Sequence, residues 1–421
     1  MVAIFHLIGF LVTALNVLVW VAVHRRLRLA FPRRGGLLSV LAGVLMLIAL
    51  HPFFIIMLGS ISGLVWMRTA LPEWFQVGGM AMQFAAWTYG AMLLIKGAPA
   101  AFMGAVRKLR RMSVKEETGT APEKELVDHE RRRALTKAAL VVPAAVVATA
   151  IGGAVAARQA PKVVRLRLTV GREFTNLHGL TIAQVSDVHV GSYMERERLA
   201  GIAEAMNSLR ADLHVVTGDL IDNEIGQMAD SQYFLRALQP RVGKFMCMGN
   251  HEYITGRSAD NKTVVDGLRE TGVDILVDES RAINFGSDRL HLLGIDYPEQ
   301  GSTLERLTTR STRESIEHAL KDVPDDGAPR ILLSHHPRTF VDAREFPIDL
   351  TLSGHTHGGQ IVLGRVGDLN FSPVLPFEHY HNGLYVHEGR KLYVNAGAGG
   401  WMPVRINCPT EITLIELVAE A

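Results

Sequence analysis

The chain has 421 residues, with 44 Lys and Arg against 42 Asp and Glu and a formal net charge of +2. So even a balance excludes a nucleic-acid partner recognised through a basic excess. Hydrophobic residues make up 48% and mean hydropathy is +0.16, which is more than a soluble hydrolase needs, and the excess lies in the first 160 residues. In chain order, residues 2–23, 37–58 and 74–95 are each about as long as the roughly 20 apolar residues that cross a bilayer. Residues 138–157 are richer in Ala and Gly, so a fourth span competes there with a cleaved export signal or a buried helix. Within the second segment His51-Pro52 reads first as a lipid-buried Pro of no functional consequence, with a kink or a polar contact as the alternatives.

Lys and Arg beside membrane segments stay in the cytoplasm. The first loop carries Arg25, Arg26, Arg28, Arg33 and Arg34, and the third carries a longer basic run from Lys96 to Lys137, whereas the second has only Arg68. Four spans then place residues after Ala157 outside, and an inner-membrane, multi-pass protein with an extracytoplasmic domain is expected. Arg132-Arg133-Ala134-Leu135-Thr136-Lys137, followed by Ala154-Val155-Ala156, resembles a twin-arginine signal with a small-residue cleavage site, which would make twin-arginine or Sec export machinery a partner; the basic flank of an ordinary stop-anchor span is the favoured alternative. Arg158, Lys162, Arg165 and Arg167 favour a competing cytoplasmic topology, or contact with anionic head groups. The expected domains are 1–160, in the membrane, and 161–421, catalytic.

Beyond residue 165, short apolar runs end in polar clusters: Asp187-Val188-His189, Gly218-Asp219, Gly249-Asn250-His251-Glu252, Ser334-His335-His336 and Gly354-His355-Thr356-His357. The lead-ins, Leu180 to Val185, Leu213 to Val216, Val242 to Met248, Ile331 to Leu333 and Ile348 to Leu352, have the pattern of buried strands. Helices are expected over Glu195 to Leu209, Ser231 to Leu238, Thr263 to Thr271 and Thr303 to Ala319, giving a layered sheet-and-helix sandwich. Asp, Asn and His collected at strand ends suit two divalent cations such as manganese, iron or zinc, which together clamp a phosphoryl group.

With these clusters in hand, the chain resembles the calcineurin-like metallophosphoesterases over roughly residues 165–421, and Gly354 to Ile361 is similar to a membrane-anchored bacterial phosphodiesterase branch. The closing Tyr393-Val394-Asn395-Ala396-Gly397, Arg405 and Cys408 to Ile412 agree with that branch. The resemblance implies a four-layer α/β/β/α sandwich after the transmembrane helices. It implies Asp187, His189 and His357 as ligands of one metal, Asn250, His335 and His355 as ligands of the other, and Asp219 as the bridge. It also implies that His251 binds phosphate oxygens or protonates the leaving group, with Asn250 beside it and Glu252 orienting it. The reaction implied is hydrolysis of a phosphodiester or pyrophosphate bond by water activated between the metals, in a lipid-linked or cell-envelope substrate. A tethered phosphomonoesterase acting on nucleotides or small metabolites, and a non-catalytic phosphate-binding module, are the alternatives.

His336 is expected to turn away from the metals, because neighbouring strand side chains alternate. His214 and His291 read as packed, hydrogen-bonded core residues. Phe377 to Gly383 is either a rim of the cleft or a solvated loop. Arg405 is expected either to grip phosphate or to lie on the surface. Cys247 reads as a core thiol, with a disulfide to Cys408 open. Selectivity is expected in the loops 253–261 and 358–385.

Overall fold

The computed structural model describes residues 148–420 apart from 192, 257–259, 298–309, 368 and 401; before residue 148 it describes short stretches within 16–46 and residues 83 and 145. The segments 2–23, 37–58 and 74–95 fall largely outside the described residues, whereas residues 148–157 of the fourth segment are described as helix. Among the described residues no helix is long and apolar enough to cross a membrane. The chain separates into two compact units, Met1–Gly152 and Gly153–Ala421. In the first unit Trp20 Nε1 donates to the Ser39 carbonyl at 3.1 Å.

Among the described residues the second unit holds two six-stranded sheets. In chain order its elements are β1 (Lys162–Val170), β2 (Thr181–Val185), α1 (Arg196–Ser208), β3 (Leu213–Thr217), α2 (Met228–Ala237), β4 (Gly243–Cys247), α3 (Asn250–Gly256), α4 (Asn261–Arg269), β5 (Asp274–Leu276), β6 (Glu279–Phe285) and β7 (Asp288–Gly294). There follow α5 (Thr312–Leu320), β8 (Arg330–Leu333), α6 (Phe340–Ala343), β9 (Leu350–Ser353), β10 (Gly364–Val366), β11 (Leu369–Phe371), β12 (Gly383–His387), β13 (Arg390–Val394) and β14 (Glu411–Ala419). One sheet runs β1-β14-β2-β3-β4-β5 and the other β12-β13-β9-β8-β7-β6, while β10 and β11 form a separate hairpin. The strands β2 to β5 pair in parallel, as do β7, β8, β9 and β13.

Strand alternation builds the layers. In β2 and β3, Ile182, Leu213 and Val215 point to the second sheet and meet Leu292, Ile331, Leu333 and Leu352 there. The intervening Ala183, Val185 and Val216 face outward against Leu199 and Met206 of α1, Phe234 of α2 and Leu268 of α4. On the far side, Leu293 and Leu332 pack against Ile316 of α5 and Ala343. The order is therefore helix, sheet, sheet, helix, and central strands covered on both faces read as unbroken apolar runs. Gln184 ties the sheets together near their ends, its side-chain nitrogen donating to Thr217 Oγ1 at 3.0 Å and to the Ser353 carbonyl at 3.1 Å. The predicted helices over 195–209, 231–238 and 263–271 are α1, α2 and α4 with ends displaced by a few residues. Only the end of the predicted 303–319 helix is described, as α5.

His214 departs from the sequence reading, whereas Cys247 is the core thiol expected. His214 is fully buried in β3 but is not hydrogen-bonded: neither ring nitrogen has a hydrogen-bond partner. Burial, with Lys244 nearby, lowers its pKa to about 4, so the ring is neutral. Cys247 and Cys408 are both free, buried thiols rather than a disulfide. His291 behaves as expected, buried with Nε2 at 3.2 Å from the Asp326 carboxylate.

Candidate metal centre

Five parallel strands release their chains at one edge, and each delivers a donor there. Asp187 and His189 follow β2, Asp219 follows β3, Asn250 follows β4, His335 follows β8, and His355 and His357 follow β9. The carboxyl ends of parallel strands are where such sheets collect ligands. The backbone turns sharply to do so: Asp187, His189, Asp219, His355 and His357 all have positive φ, between 50 and 70°. Side chains disfavour that region, and such residues concentrate at functional sites. Close approach at Gly354 is part of the construction, because a Cβ there would lie 1.9 Å from Ser186 Oγ and 2.2 Å from Asp187 Oδ2.

The donor atoms form two groups. In the first, His189 Nε2 lies 3.1 Å from His357 Nε2, and His357 Nε2 lies 3.4 Å from Asp187 Oδ1. In the second, His335 Nε2 lies 3.1 Å from Asp219 Oδ2, and His355 Nδ1 lies 3.2 Å from His335 Nε2 and 3.0 Å from Asn250 Oδ1. Asp219 Oδ2 also lies 3.8 Å from His189 Nε2, which places it between the groups. Asp187, His189 and His357, and likewise Asp219, His335 and His355, are clusters compact enough to hold a metal ion.

The donor chemistry fits divalent cations. Ligands about 2.0–2.2 Å from one ion stand roughly 3 Å apart at right angles, which is the spacing found. Imidazole nitrogens that face one another in a buried pocket need a cation between them or a shared proton. Burial works against protonation of His355 and His357, and neighbouring imidazoles add to it, holding both well below the usual histidine range. Their lone pairs are therefore available. Burial also opposes charge on His335, but the Asp219 and Asp187 carboxylates push it up to about 10, the mark of a pocket that seeks positive charge. Asp219 shows the converse: burial would raise it, yet His335, His251 and His189 hold it well below the usual carboxylate range.

His251 stands beside the first group, its ring 4.5 Å from that of His189 and perpendicular to it. Its Nδ1 donates to the Asp222 carbonyl, so Nε2 is the nitrogen free to take up or release a proton. Glu252, expected to orient His251, does something else. Its carboxylate accepts the backbone N–H groups of Asp219, Leu220, Ile221 and Gly249, fixing the turns that carry Asp219 and Asn250. The orienting residue is Asp222, whose Oδ1 lies 3.2 Å from His189 Nδ1 and 3.5 Å from His251 Nδ1. A carboxylate three residues beyond Asp219 was a signal available in the sequence.

His336 also departs from expectation. Strand alternation stops at Leu333, and His336 opens a short 3-10 turn in which Arg338 N donates to its Nδ1 at 3.2 Å. Its ring stacks on His355 at 4.4 Å instead of turning away. Tyr297, which sequence reasoning missed, is buried with its ring 6.0 Å from His335 and 6.1 Å from His355. It closes the apolar run of β7, the same pattern that announced the other clusters. The Phe377 to Gly383 segment lies against the site: the His381 carbonyl accepts the Thr356 hydroxyl at 2.7 Å, and Glu378 pairs with Arg338 at 2.7 Å.

Arg405 neither grips phosphate nor lies on the surface. It is 1% exposed, and its guanidinium donates to the carbonyls of Ala396, Gly397, Gly399 and Cys408. That segment in turn bonds through Ala398 N and Gly399 N to the carbonyls of Ser186 and Asp187. Arg405 thus braces the floor beneath the first metal group.

Residues 180–359 match the sequence profile of the Calcineurin-like phosphoesterase family. An uncharacterized metallophosphoesterase of Aquifex aeolicus is 32% identical over 56% of this chain and 85% of its own length. The chain belongs to the calcineurin-like metallophosphoesterases. A Danio rerio relative named transmembrane protein with metallophosphoesterase domain is 32% identical over 298 residues, 67% of this chain and 62% of its own length. UDP-2,3-diacylglucosamine pyrophosphatase LpxG of Chlamydia trachomatis is 26% identical over 62% of this chain and 90% of its own length. The chain spans only about three fifths of the curated relatives from Danio rerio and Helicobacter pylori, 62% and 60% respectively.

Proposed function

We propose that this metallophosphoesterase is a two-metal phosphohydrolase that cleaves phosphodiester or pyrophosphate bonds, with Asp187, His189 and His357 holding one cation, Asn250, His335 and His355 the other, and Asp219 both. The observation that carries the reading is the convergence of seven donors, with neighbouring donor atoms 3.0 to 3.8 Å apart, in two groups joined by one carboxylate. Two such cations supply positive charge to a phosphoryl group and acidify water. The remaining work falls to the protein. With Nδ1 committed to the Asp222 carbonyl, His251 presents Nε2 as the group that donates to a phosphate oxygen or returns a proton to the leaving oxygen. Asp222 keeps the His189 and His251 rings in register, and Glu252 and Arg405 hold the backbone beneath them.

The substrate class is a phosphodiester or pyrophosphate carried on a lipid or cell-envelope intermediate. Support comes from the apolar segments ahead of residue 158, which make the chain a multi-pass membrane protein in this reading, and from the similarity to a diacylglucosamine pyrophosphatase. The domains are a membrane part over 1–160 and a catalytic part over 161–421, facing outward by the basic-loop rule. A reporter fused after Ala421 that is active only outside the cytoplasm checks the orientation, and cytoplasmic activity reverses it.

The test of the activity is turnover of a phosphodiester and a phosphomonoester reporter by the detergent-solubilised full chain, with manganese, with chelator, and with Asn250→Ala and His251→Ala. Chelator-sensitive diester cleavage lost in both variants is expected. Preference for the monoester makes the chain a tethered phosphatase. A folded, metal-loaded protein that turns over neither reporter nor a lipid pyrophosphate is a binding module.

A further inference from the structure

The hairpin of β10 and β11 is inside out. Soluble hairpins turn polar residues to water and apolar ones to the core. Here Val366 and Phe371, on one face by their register, are 68% and 45% exposed, and the preceding Leu363 is 76% exposed. On the other face Asn370 is 2% exposed; its carbonyl accepts from His381 Nε2 at 3.0 Å, and its side chain accepts from Arg365 Nε at 2.7 Å. The exposed apolar pair is therefore carried on a hairpin seated through Asn370, with Arg365 on that same face itself exposed. Large apolar side chains grouped on a surface mark a contact with something apolar.

The position of the hairpin says what that contact is. Its base is anchored by the Ile361–Ile406 bridge and by Val362 N donating to the Ile406 carbonyl at 2.9 Å. The next residue back, Arg405, donates its backbone N–H to the Gly153 carbonyl at 2.9 Å. Gly153 packs so closely there that a Cβ would lie 2.8 Å from Val404 and 3.1 Å from Ile406. Gly153 belongs to the last apolar segment of the sequence, 138–157, and its neighbour Val155 is 58% exposed. The end of that segment and the base of the hairpin thus share one strip of backbone. The same strip leads to the metal centre, because the chain enters the hairpin directly from His357 and Gln360.

We propose that the β10–β11 hairpin docks into the lipid bilayer, with Val366 and Phe371 entering the head-group and acyl boundary and Arg365 beside anionic head groups. An apolar face with a basic flank is the composition of interfacial elements that lie on a membrane without spanning it. Docking there seats the first metal group at the lipid surface, where a lipid-borne phosphate presents itself. The proposal rests on the membrane-attached reading of the chain given above.

The test uses the full chain reconstituted in phosphatidylethanolamine and phosphatidylglycerol vesicles, with an environment-sensitive fluorophore on Val366→Cys and, separately, on Lys262→Cys. The native thiols, Cys247 and Cys408, are buried and do not compete for label. Lys262 lies on α4 with its side chain 83% exposed. Shallow nitroxide lipids are expected to quench the Val366 probe severalfold more than the Lys262 probe, with a blue-shifted emission at Val366 alone. Equal, weak quenching at both sites in protein that floats with the vesicles overturns the docking and leaves the anchor standing. Protein that does not float overturns both. Metal-dependent turnover of a soluble diester by the same samples reports the catalytic reading independently of either result.

Discussion

Glu252→Gln is the sharpest perturbation of the centre that touches none of its donors. The Glu252 carboxylate is fully buried and accepts four backbone N–H groups: Oε2 takes Asp219 N at 3.0 Å and Gly249 N at 2.8 Å, while Oε1 takes Leu220 N at 2.7 Å and Ile221 N at 3.3 Å. Burial and the Asp219 charge push this carboxyl up, and the backbone donors pull it down. Glutamine matches it in size but offers one acceptor oxygen and one donor nitrogen. Whichever way the amide turns, two buried N–H groups lose their acceptor and face another donor. Each unsatisfied group costs about 1–3 kcal/mol, or about 2–6 kcal/mol together. At roughly 2–4 °C per kcal/mol for a unit of this size, the melting temperature should fall by roughly 4–24 °C. Thermal unfolding of the metal-free protein followed by circular dichroism measures the loss, and a manganese titration should show weakened binding as the Asp219 and Asn250 turns relax. A Glu252→Gln protein that melts with the parent and binds manganese equally well refutes the assignment of Glu252 as the brace of these turns.

Gly354→Ala should give a folded protein with little metal affinity, since its methyl must displace Ser186 Oγ or Asp187 Oδ2; calorimetric titration with manganese checks this, and parent-like binding contradicts it. His214 should make stability depend on pH. Its folded pKa of about 4 lies below the ordinary 6.5, so the unfolded chain takes up the proton first. Its contribution is intact above pH 6.5 and is lost as pH falls toward 4, at up to about 1.4 kcal/mol per pH unit. Urea midpoints of the metal-free protein at pH 7 and pH 5 should drop less in His214→Leu than in the parent, and an equal drop removes His214 as the cause.

The donors were legible in the sequence because parallel strands buried on both faces leave an unmistakable apolar run, and the residue after such a run must sit at the sheet edge. That reasoning carried Asp187, Asp219, Asn250, His335 and His355 to one place. It failed at His336 because alternation was applied one residue too far: β8 has ended at Leu333, and the chain there is already turning into the Pro337–Thr339 helix. Arg405 misled for a different reason. Its charge suggested phosphate or water, and nothing local reveals that Ala396, Gly397 and Gly399 would turn their carbonyls toward one point. The membrane segments, read from hydropathy alone, are described only in part, and among the described residues no helix is long and apolar enough to cross a membrane.

The turn from Gly218 to Asp222 concentrates more of the site than its length suggests. Asp219 stands between the two metal groups, the backbone of 219–221 is held by Glu252, and Asp222 ends the turn beside both His189 and His251. The His251 backbone N–H returns to Asp219 Oδ1 at 2.9 Å, so this turn and the start of α3 lock each other. A shift in either would therefore move the Asp219 carboxylate and the His251 ring together. Pairing them at the ends of the adjacent strands β3 and β4 would, in the proposed reaction, hold the Asp219 carboxylate and the His251 ring at one fixed separation.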